Sequence, residues 1–292
     1  MWLADLRAPA QDSGMPTLRF KQVDVFTDKP YLGNPVAVVI GADDLDSETM
    51  QRIACWTNLS ETTFLLKSDK ADYRLRTFTP RNEIAFAGHP TVGSAHAALE
   101  AGFVPRKAVL RQDSGSDVLE LMVDDQRVFM RGRPAKAHSG SADAAAFGIP
   151  LVPGGKLLGI DVGPTWYVGE MTDSAALARL QPDMAAIAAW SLAAQVTGVA
   201  VFAPSGDAES AIHLRAFAPA WGIPEDPVTG SANLAIPAYL AHHGQPQRFG
   251  SRYVARQGMQ VGRDGRVFVR IDADGIRIGG RSVTCVEGTL RV

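Results

Sequence analysis

The sequence predicts an α+β protein made of two similar lobes, and three observations carry that expectation. The chain has 292 residues, about twice an ordinary domain. Short alternating apolar stretches of strand period outnumber helical ones. A strand-loop-helix pattern near the middle of each half occurs twice.

The repeat is specific. Leu75-Arg76-Thr77-Phe78-Thr79-Pro80 returns as Leu214-Arg215-Ala216-Phe217-Ala218-Pro219. Each copy runs through a loop into a helix start, Gly88-His89-Pro90-Thr91-Val92-Gly93-Ser94-Ala95 in the first and Glu225-Asp226-Pro227-Val228-Thr229-Gly230-Ser231-Ala232 in the second. A single six-residue match arises by chance. Two matches in the same order at nearly the same offset favour a duplicated lobe. Lobes so related face each other across a cleft, where small ligands bind.

The elements follow in order. Val23 and Val25 flank Asp24 in a strand that runs to Phe26. Asp28, Pro30, Gly33 and Asn34-Pro35 punctuate a loop, and the β-branched run Val36 to Ile40 is a second strand. Asp46-Ser47 before Glu48 marks a helix start, with Met50, Ile53, Ala54 and Thr57 at helical spacing. Thr62 to Leu66 and Tyr73 to Thr79 read as strands. Pro90 fits the first turn of a helix, where its missing N–H is not needed, and Gly102 is placed to end that helix. Val118 to Met130 and Val267 to Val283 carry strand patterns broken by Asp-Asp, Asp-Gly and Gly-Gly turns.

From these boundaries we expect an N-terminal lobe over residues 17–135, an interlobe region over Ala135 to Gly155 and a C-terminal lobe over 150–280. Residues 281–292 read as a closing strand. Residues 1–16 read as a disordered leader, lacking the basic and apolar regions of a secretory signal.

Composition narrows the function. Hydrophobic residues make up 46% and charged residues 21%, and the formal net charge is -2. That balance gives no electrostatic reason to expect nucleic acid or a membrane as partner. No apolar run approaches the ~20 residues a spanning helix needs. Two cysteines, Cys55 and Cys285, make neither a disulfide framework nor a metal motif, so a cytoplasmic protein is expected. Cys55 falls at an apolar helix position and reads as packing. There is no P-loop and no dinucleotide fingerprint.

The candidate site follows from the repeated corners. Helix N-termini present unpaired N–H groups and suit carboxylate or phosphate. Gly88, Gly230 and Ser231 let the backbone approach such a ligand. Glu61, in Asn58-Leu59-Ser60-Glu61-Thr62 at a helix-to-strand junction, is a candidate acid-base group if the cleft desolvates it. His89 and Asp226 occupy nearly equivalent places in the two corners. Each has a structural alternative as a cap, a strong one for Asp226.

Taken together, Gly33-Asn34-Pro35, Asn58 to Thr62, Phe78-Thr79-Pro80, Ala87-Gly88-His89-Pro90-Thr91 and Glu225 to Ser231 resemble the PhzF (phenazine-biosynthesis-like) family. The order is the same and the resemblance extends from Leu18 to Gly280. It implies a diaminopimelate-epimerase-like fold: two pseudo-symmetric lobes, each a curled, mostly antiparallel sheet around a central helix. It implies Glu61 as the proton-transfer residue, with His89, Asp226 and Ser231 placing the substrate and assisting proton movement. The founding activity, isomerisation of 2,3-dihydro-3-hydroxyanthranilate, removes a proton at C3 and returns one at C1. A single carboxyl does both steps, so no cofactor and no metal are expected. The implied partners are a small carboxylated substrate and a second copy of the chain in a homodimer. Relatives of wider kinship that racemise amino acids carry a thiol at each helix start. Here His89 and Asp226 stand there instead, which removes a two-thiol mechanism. A racemase or epimerase using Glu61 with a non-thiol partner, and a non-catalytic ligand-binding protein, are the alternatives. Two departures from the family pattern are Pro237 inside the second cleft helix, expected to kink it, and Asp264-Gly265 where Pro-Ser is usual.

Overall fold

The computed structural model describes residues 16–115 and 117–292; apart from Pro16, the leader expected over residues 1–16 lies outside the described residues. The first half runs β1 (Thr17–Val25), β2 (Asn34–Ile40), α1 (Ser47–Thr57), β3 (Thr62–Leu66), β4 (Tyr73–Phe78), β5 (Glu83–Ile84), α2 (Gly88–Glu100), β6 (Val109–Asp113), β7 (Val118–Asp124) and β8 (Arg127–Arg131). The second runs β9 (Lys136–His138), β10 (Leu158–Asp161), β11 (Thr165–Glu170), α3 (Ser174–Arg179), α4 (Met184–Ala194), β12 (Gly198–Pro204), β13 (Ile212–Ala218), β14 (Ile223–Asp226), α5 (Gly230–His242), β15 (Arg252–Gln257), β16 (Gly265–Asp272) and β17 (Gly275–Gly280), and β18 (Ser282–Arg291) ends the chain.

The duplication read from the sequence is present in the strand pairing. In the first half β1–β2 is antiparallel, β2–β3 parallel, β3–β4 antiparallel, β4–β6 parallel, and β6–β7 and β7–β8 antiparallel. In the second, β10–β11, β11–β12, β12–β13, β13–β15, β15–β16 and β16–β17 repeat that order of directions. The short β5 and β14 sit in matching places beside β4 and β13. Antiparallel pairing of β8 with β17 joins the halves into one curled sheet.

The chain also crosses between halves twice. β9, inside the segment expected to link the lobes, pairs with β10, and Phe147 and Ile149 from the same segment pack with Tyr167 and Val199. The segment is therefore part of the second lobe's packing. At the far end β18 returns to pair with β1 along its length. Each lobe thus takes its outer strand from the segment that follows the other lobe.

α2 and α5 are the central helices, and their composition shows why. A helix wrapped by a sheet has no wet face, so it is built of small and apolar residues without amphipathic contrast. Val92, Ala95 and Ala98 of α2 pack with Val23, Val25 and Val36, and Ala232, Leu234 and Ile236 of α5 join the same core. Gly93 is a close-approach position: a Cβ there would lie 2.6 Å from a methyl of Val25 and 2.6 Å from one of Val36. α2 begins two residues before Pro90, at Gly88, and Pro90 falls in its first turn. Gly102, at φ +65°, donates its N–H to the Leu99 carbonyl at 3.1 Å and stops it. α5 runs through Pro237 to His242.

α1 is an outer helix and behaves differently. It buries Met50 and Ala54 on one face, which turns the next residue outward. Cys55 is accordingly exposed, correcting the packing role expected for it. Among the described residues no helix is long and apolar enough to cross a membrane.

The packing around Gly93 makes a direct prediction. Gly93→Ala forces a methyl against two buried valines and is expected to destabilise the protein by about 1–3 kcal/mol. Urea denaturation measures it, and an unchanged midpoint would mean that α2 can slide away from the sheet.

Candidate active site

The site is assembled at the starts of the two central helices. Five α-helices are present among the described residues, and three of them are conventionally capped. Asp46, Asp173 and Asp183 accept from backbone N–H groups at the starts of α1, α3 and α4. The two central helices have no such side-chain bond: Ala87 precedes α2 and Thr229 precedes α5. Their first N–H groups are left for another acceptor. The two starts also meet, since a Cβ added to Gly88 would come within 3.9 Å of the Gly230 Cα. On Gly230 itself a Cβ would lie 2.8 Å from Ile278. A side chain on Gly230 would therefore have to displace Ile278, whereas one on Gly88 would meet only ordinary contacts.

Glu61 is brought here by the end of α1. Asn58 closes that helix in the left-handed conformation, at φ 56°, which asparagine tolerates better than most residues. The Thr57 and Thr62 hydroxyls bond across the turn at 2.6 Å. The Glu61 carbonyl takes the N–H of Ala37 at 3.4 Å, so the residue sits where β2 and β3 begin side by side. Its Oε2 lies 3.3 Å from Nε2 of His89, the second residue of α2. The approach is close enough for an ion pair but misaligned for a hydrogen bond, and both atoms are buried without a hydrogen-bond partner. Native interiors rarely leave such atoms orphaned.

Asp226 faces them from the other lobe and is held from three directions. Asn34 Nδ2 donates to its Oδ1 at 2.9 Å and also to the Val228 carbonyl at 2.9 Å. The Thr229 hydroxyl donates to Oδ2 at 2.6 Å. Gln257 Nε2 donates to the Asp226 carbonyl at 2.8 Å, and its Oε1 accepts the Thr229 N–H at 2.9 Å. Asn34 is a first-lobe residue, so this bond crosses the cleft. The carboxylate takes no backbone N–H of α5, which excludes the capping alternative for Asp226. Ser231 lies in the first turn of α5, but its hydroxyl accepts from the Trp166 indole at 2.9 Å.

The electrostatics separate the three titrating groups. Burial raises the Glu61 pKa above the ordinary carboxylate value, against a weaker hydrogen bond from Ser60. Burial also raises Asp226, with the neighbouring Glu61 charge adding to it and His89, Thr229 and Asn34 opposing it. Burial pulls His89 down to about 4, although Asp226 and a bond to the Pro35 carbonyl favour its charged form. At neutral pH the imidazole is therefore uncharged beside a carboxyl whose hold on its proton burial strengthens.

The sequence motifs named Glu61, His89, Gly88, Asp226, Gly230 and Ser231, and the structure brings all six to the two helix starts. Asn34, Thr229, Gln257 and Trp166 were not singled out as site residues. Asn34-Pro35 and Thr229 stand within the quoted motifs, which was the available signal. Gln257 opens the stretch to Arg263, just before the Asp264-Gly265 departure, that resembles the family; nothing local distinguishes Trp166. The departure at Asp264-Gly265 also has a place. Gly265 packs on Val228, where a Cβ would meet a methyl at 2.3 Å, and Asp264 bonds Arg256 at 2.6 Å.

With this geometry in view, comparison with known proteins is informative. The family profile described as Phenazine biosynthesis-like protein matches residues 23–288. The chain belongs to this family. Among its relatives, Antisense-enhancing sequence 1 of Schizosaccharomyces pombe is 34% identical, covering 92% of this chain and 97% of the relative. The trans-2,3-dihydro-3-hydroxyanthranilate isomerase of Pseudomonas aeruginosa is 35% identical over 91% of this chain and 95% of its own. The crystal structure of a PhzF-family phenazine biosynthesis protein from Bacillus anthracis is 28% identical and superposes with a TM-score of 0.84, covering 95% of this chain and 100% of that one. The protein is an isomerase of this family, with its two-lobed fold.

The buried histidine predicts a pH signature. Between pH 6.5 and about 4 the unfolded chain takes up a proton that folded His89 refuses, so this residue makes stability fall as pH falls through that window. His89→Gln is expected to flatten the slope by as much as about 3 kcal/mol across the window. Chemical denaturation at half-unit pH steps tests it, and parallel profiles for both proteins would contradict the buried neutral imidazole.

Proposed function

We propose that this isomerase moves a proton between two carbons of a small carboxylated substrate, with Glu61 as both base and acid and without a cofactor. The observation that carries the reading is the Glu61 Oε2, buried and without a hydrogen-bond partner, 3.3 Å from neutral His89 at the meeting point of two uncapped helix starts. The name of the Pseudomonas aeruginosa relative supports a substrate resembling 2,3-dihydro-3-hydroxyanthranilate.

The chemistry follows from the parts. The substrate carboxylate accepts from the free N–H groups at the starts of α2 and α5, approached past Gly88 and Gly230. Ionised Glu61 takes a proton from carbon, and the C–H electron pair enters the conjugated system of the substrate. The helix tips, already oriented, stabilise the negative charge that develops. Protonated Glu61 then returns the proton to a second carbon, so the product has the formula of the substrate. His89 and Asp226 flank the reacting centre as hydrogen-bonding groups. The raised Glu61 pKa suits it to both halves of this cycle. Ser231, engaged with Trp166, steadies the α5 start. The exposed Cys55 and part-exposed Cys285 are both unpaired thiols, which supports a reducing, cytoplasmic setting.

Glu61→Gln keeps the shape of the side chain and removes its proton chemistry. Turnover of the dihydro-hydroxyanthranilate is expected to fall by about 10²–10⁴-fold or more, with the fold and substrate binding retained. Reaction in deuterium oxide is expected to place deuterium at the protonated carbon. Full activity in the variant would remove Glu61 from the mechanism, and deuterium returned to the same carbon with inverted configuration would favour an epimerase.

A further inference from the structure

We infer that the protein carries a second ligand site, for a small organic phosphate, in a groove behind the catalytic centre. The groove encloses about 710 Å3 between the C-terminal half of α2, the β7–β8 turn and the β17–β18 junction. An adjoining hollow of about 370 Å3 shares Asp28, Lys29, Arg127 and Arg281 with it. None of Glu61, His89 or Asp226 lines either hollow.

Its charges are unequally committed. Of the acids on the wall, Asp28 pairs with Arg281 at 3.2 Å, Glu100 with Lys21 at 2.8 Å and Asp124 with Arg270 at 2.7 Å. Asp125 alone has no ion pair among the described residues, and its backbone carbonyl already accepts from Arg106. Three cations, Lys29, Arg106 and Arg127, have no carboxylate partner among those residues. Lys21 is shared between Glu100 and Glu287, which lies 2.9 Å away, so the three uncommitted cations stand against Asp125 and one half-matched glutamate, a surplus of one positive charge. A phosphate monoester carries nearly two negative charges at neutral pH.

Two further observations point at a missing ligand. The Arg127 Nε and the Ser282 hydroxyl are buried with no hydrogen-bond partner, and both residues line the groove. Buried donors in native proteins rarely stay unmatched, and an arginine fork and a hydroxyl are what a phosphate uses. The Arg127 guanidinium is also already placed, lying 4.1 Å from the centre of the Phe268 ring, so ordering it costs little on binding. Leu99, Val123, Val128 and Val283 complete the wall. They form an apolar surface that inorganic phosphate would not use and an organic group would.

Isothermal titration of the full chain with phenyl phosphate and with inorganic phosphate tests the site. Phenyl phosphate is expected to bind saturably and more tightly than inorganic phosphate. Its affinity is expected to fall by about tenfold in Arg127→Gln, the loss of one charge-assisted bond. Lys29→Gln changes an exposed side chain without an ion pair among the described residues, so it keeps the test sound if Arg127→Gln fails to fold; a loss of about threefold is expected there. Absence of saturable binding would overturn the proposal. So would equal affinity in wild type and both variants, which would place the anion at the catalytic helix starts, or equal affinity for the two probes. A dimer dispersed by these same substitutions would make the groove a protein interface and would also overturn it.

Discussion

Taking an ionisable carboxyl out of water is costly unless another group compensates for the lost hydration, and the architecture is organised around that cost at Glu61. The side chain is 14% exposed, a histidine that stays neutral lies 3.3 Å away, and one of its oxygens has no hydrogen bond. An isolated helix-to-strand turn would let such a residue swing into solvent. Here β2 and β3 pin its backbone, α2 closes over it, and α5 approaches from the second lobe. The stability spent on holding it comes from the apolar core on the far side of both helices, where Val92, Ala95, Ala232 and Ala235 are fully buried.

Duplication explains how one site receives walls from two units. Each half has the same succession of strand directions and places one helix at the centre of its curl. Since the halves join through β8 and β17 and exchange their outer strands β9 and β18, the helices cannot choose their spacing independently. The bond from Asn34 to Asp226 then fixes the two tips relative to one another, with a first-lobe amide reading a second-lobe carboxylate. Gln257 ties Asp226 to Thr229 from behind. The Glu61–His89–Asp226 cluster is therefore held by backbone geometry first and by polar side chains second, the order that gives preorganisation in a rigid scaffold.

Much of this was legible in the sequence, for identifiable reasons. Local chemistry identified β3, all of β4 and the capped start of α1, because alternation and an Asp-Ser pair act within a few residues. The repeat of Leu75–Pro80 at Leu214–Pro219 exposed the duplication, because equivalent corners need equivalent residues. The short β9 was hidden in a segment of small residues, since its partner β10 lies about twenty residues on and three residues make no period. Cys55 was misjudged because helical spacing alone does not say how wide the buried stripe of α1 is; that helix buries only a narrow one. The Asn34–Asp226 contact spans 192 residues, and Trp166 meets Ser231 across 65. No local pattern encodes such meetings, which depend on how the sheet curls.

The uncapped helices give the electrostatics their logic. Two N-termini facing one point bring like partial charges together, an arrangement that costs free energy while no anion lies between them. A protonated histidine there would add a third positive charge. Burial keeps His89 neutral and removes that conflict, leaving the carboxyls of Glu61 and Asp226 as the only formal charges the three groups can carry. The same helix tips favour an ionised carboxylate, whereas burial favours the protonated acid, and at Glu61 the two tendencies oppose each other. A substrate anion docked on the tips would take over part of their field and tip Glu61 towards the protonated form. Binding and proton transfer would then be coupled through one local potential, with no moving part required beyond the substrate itself.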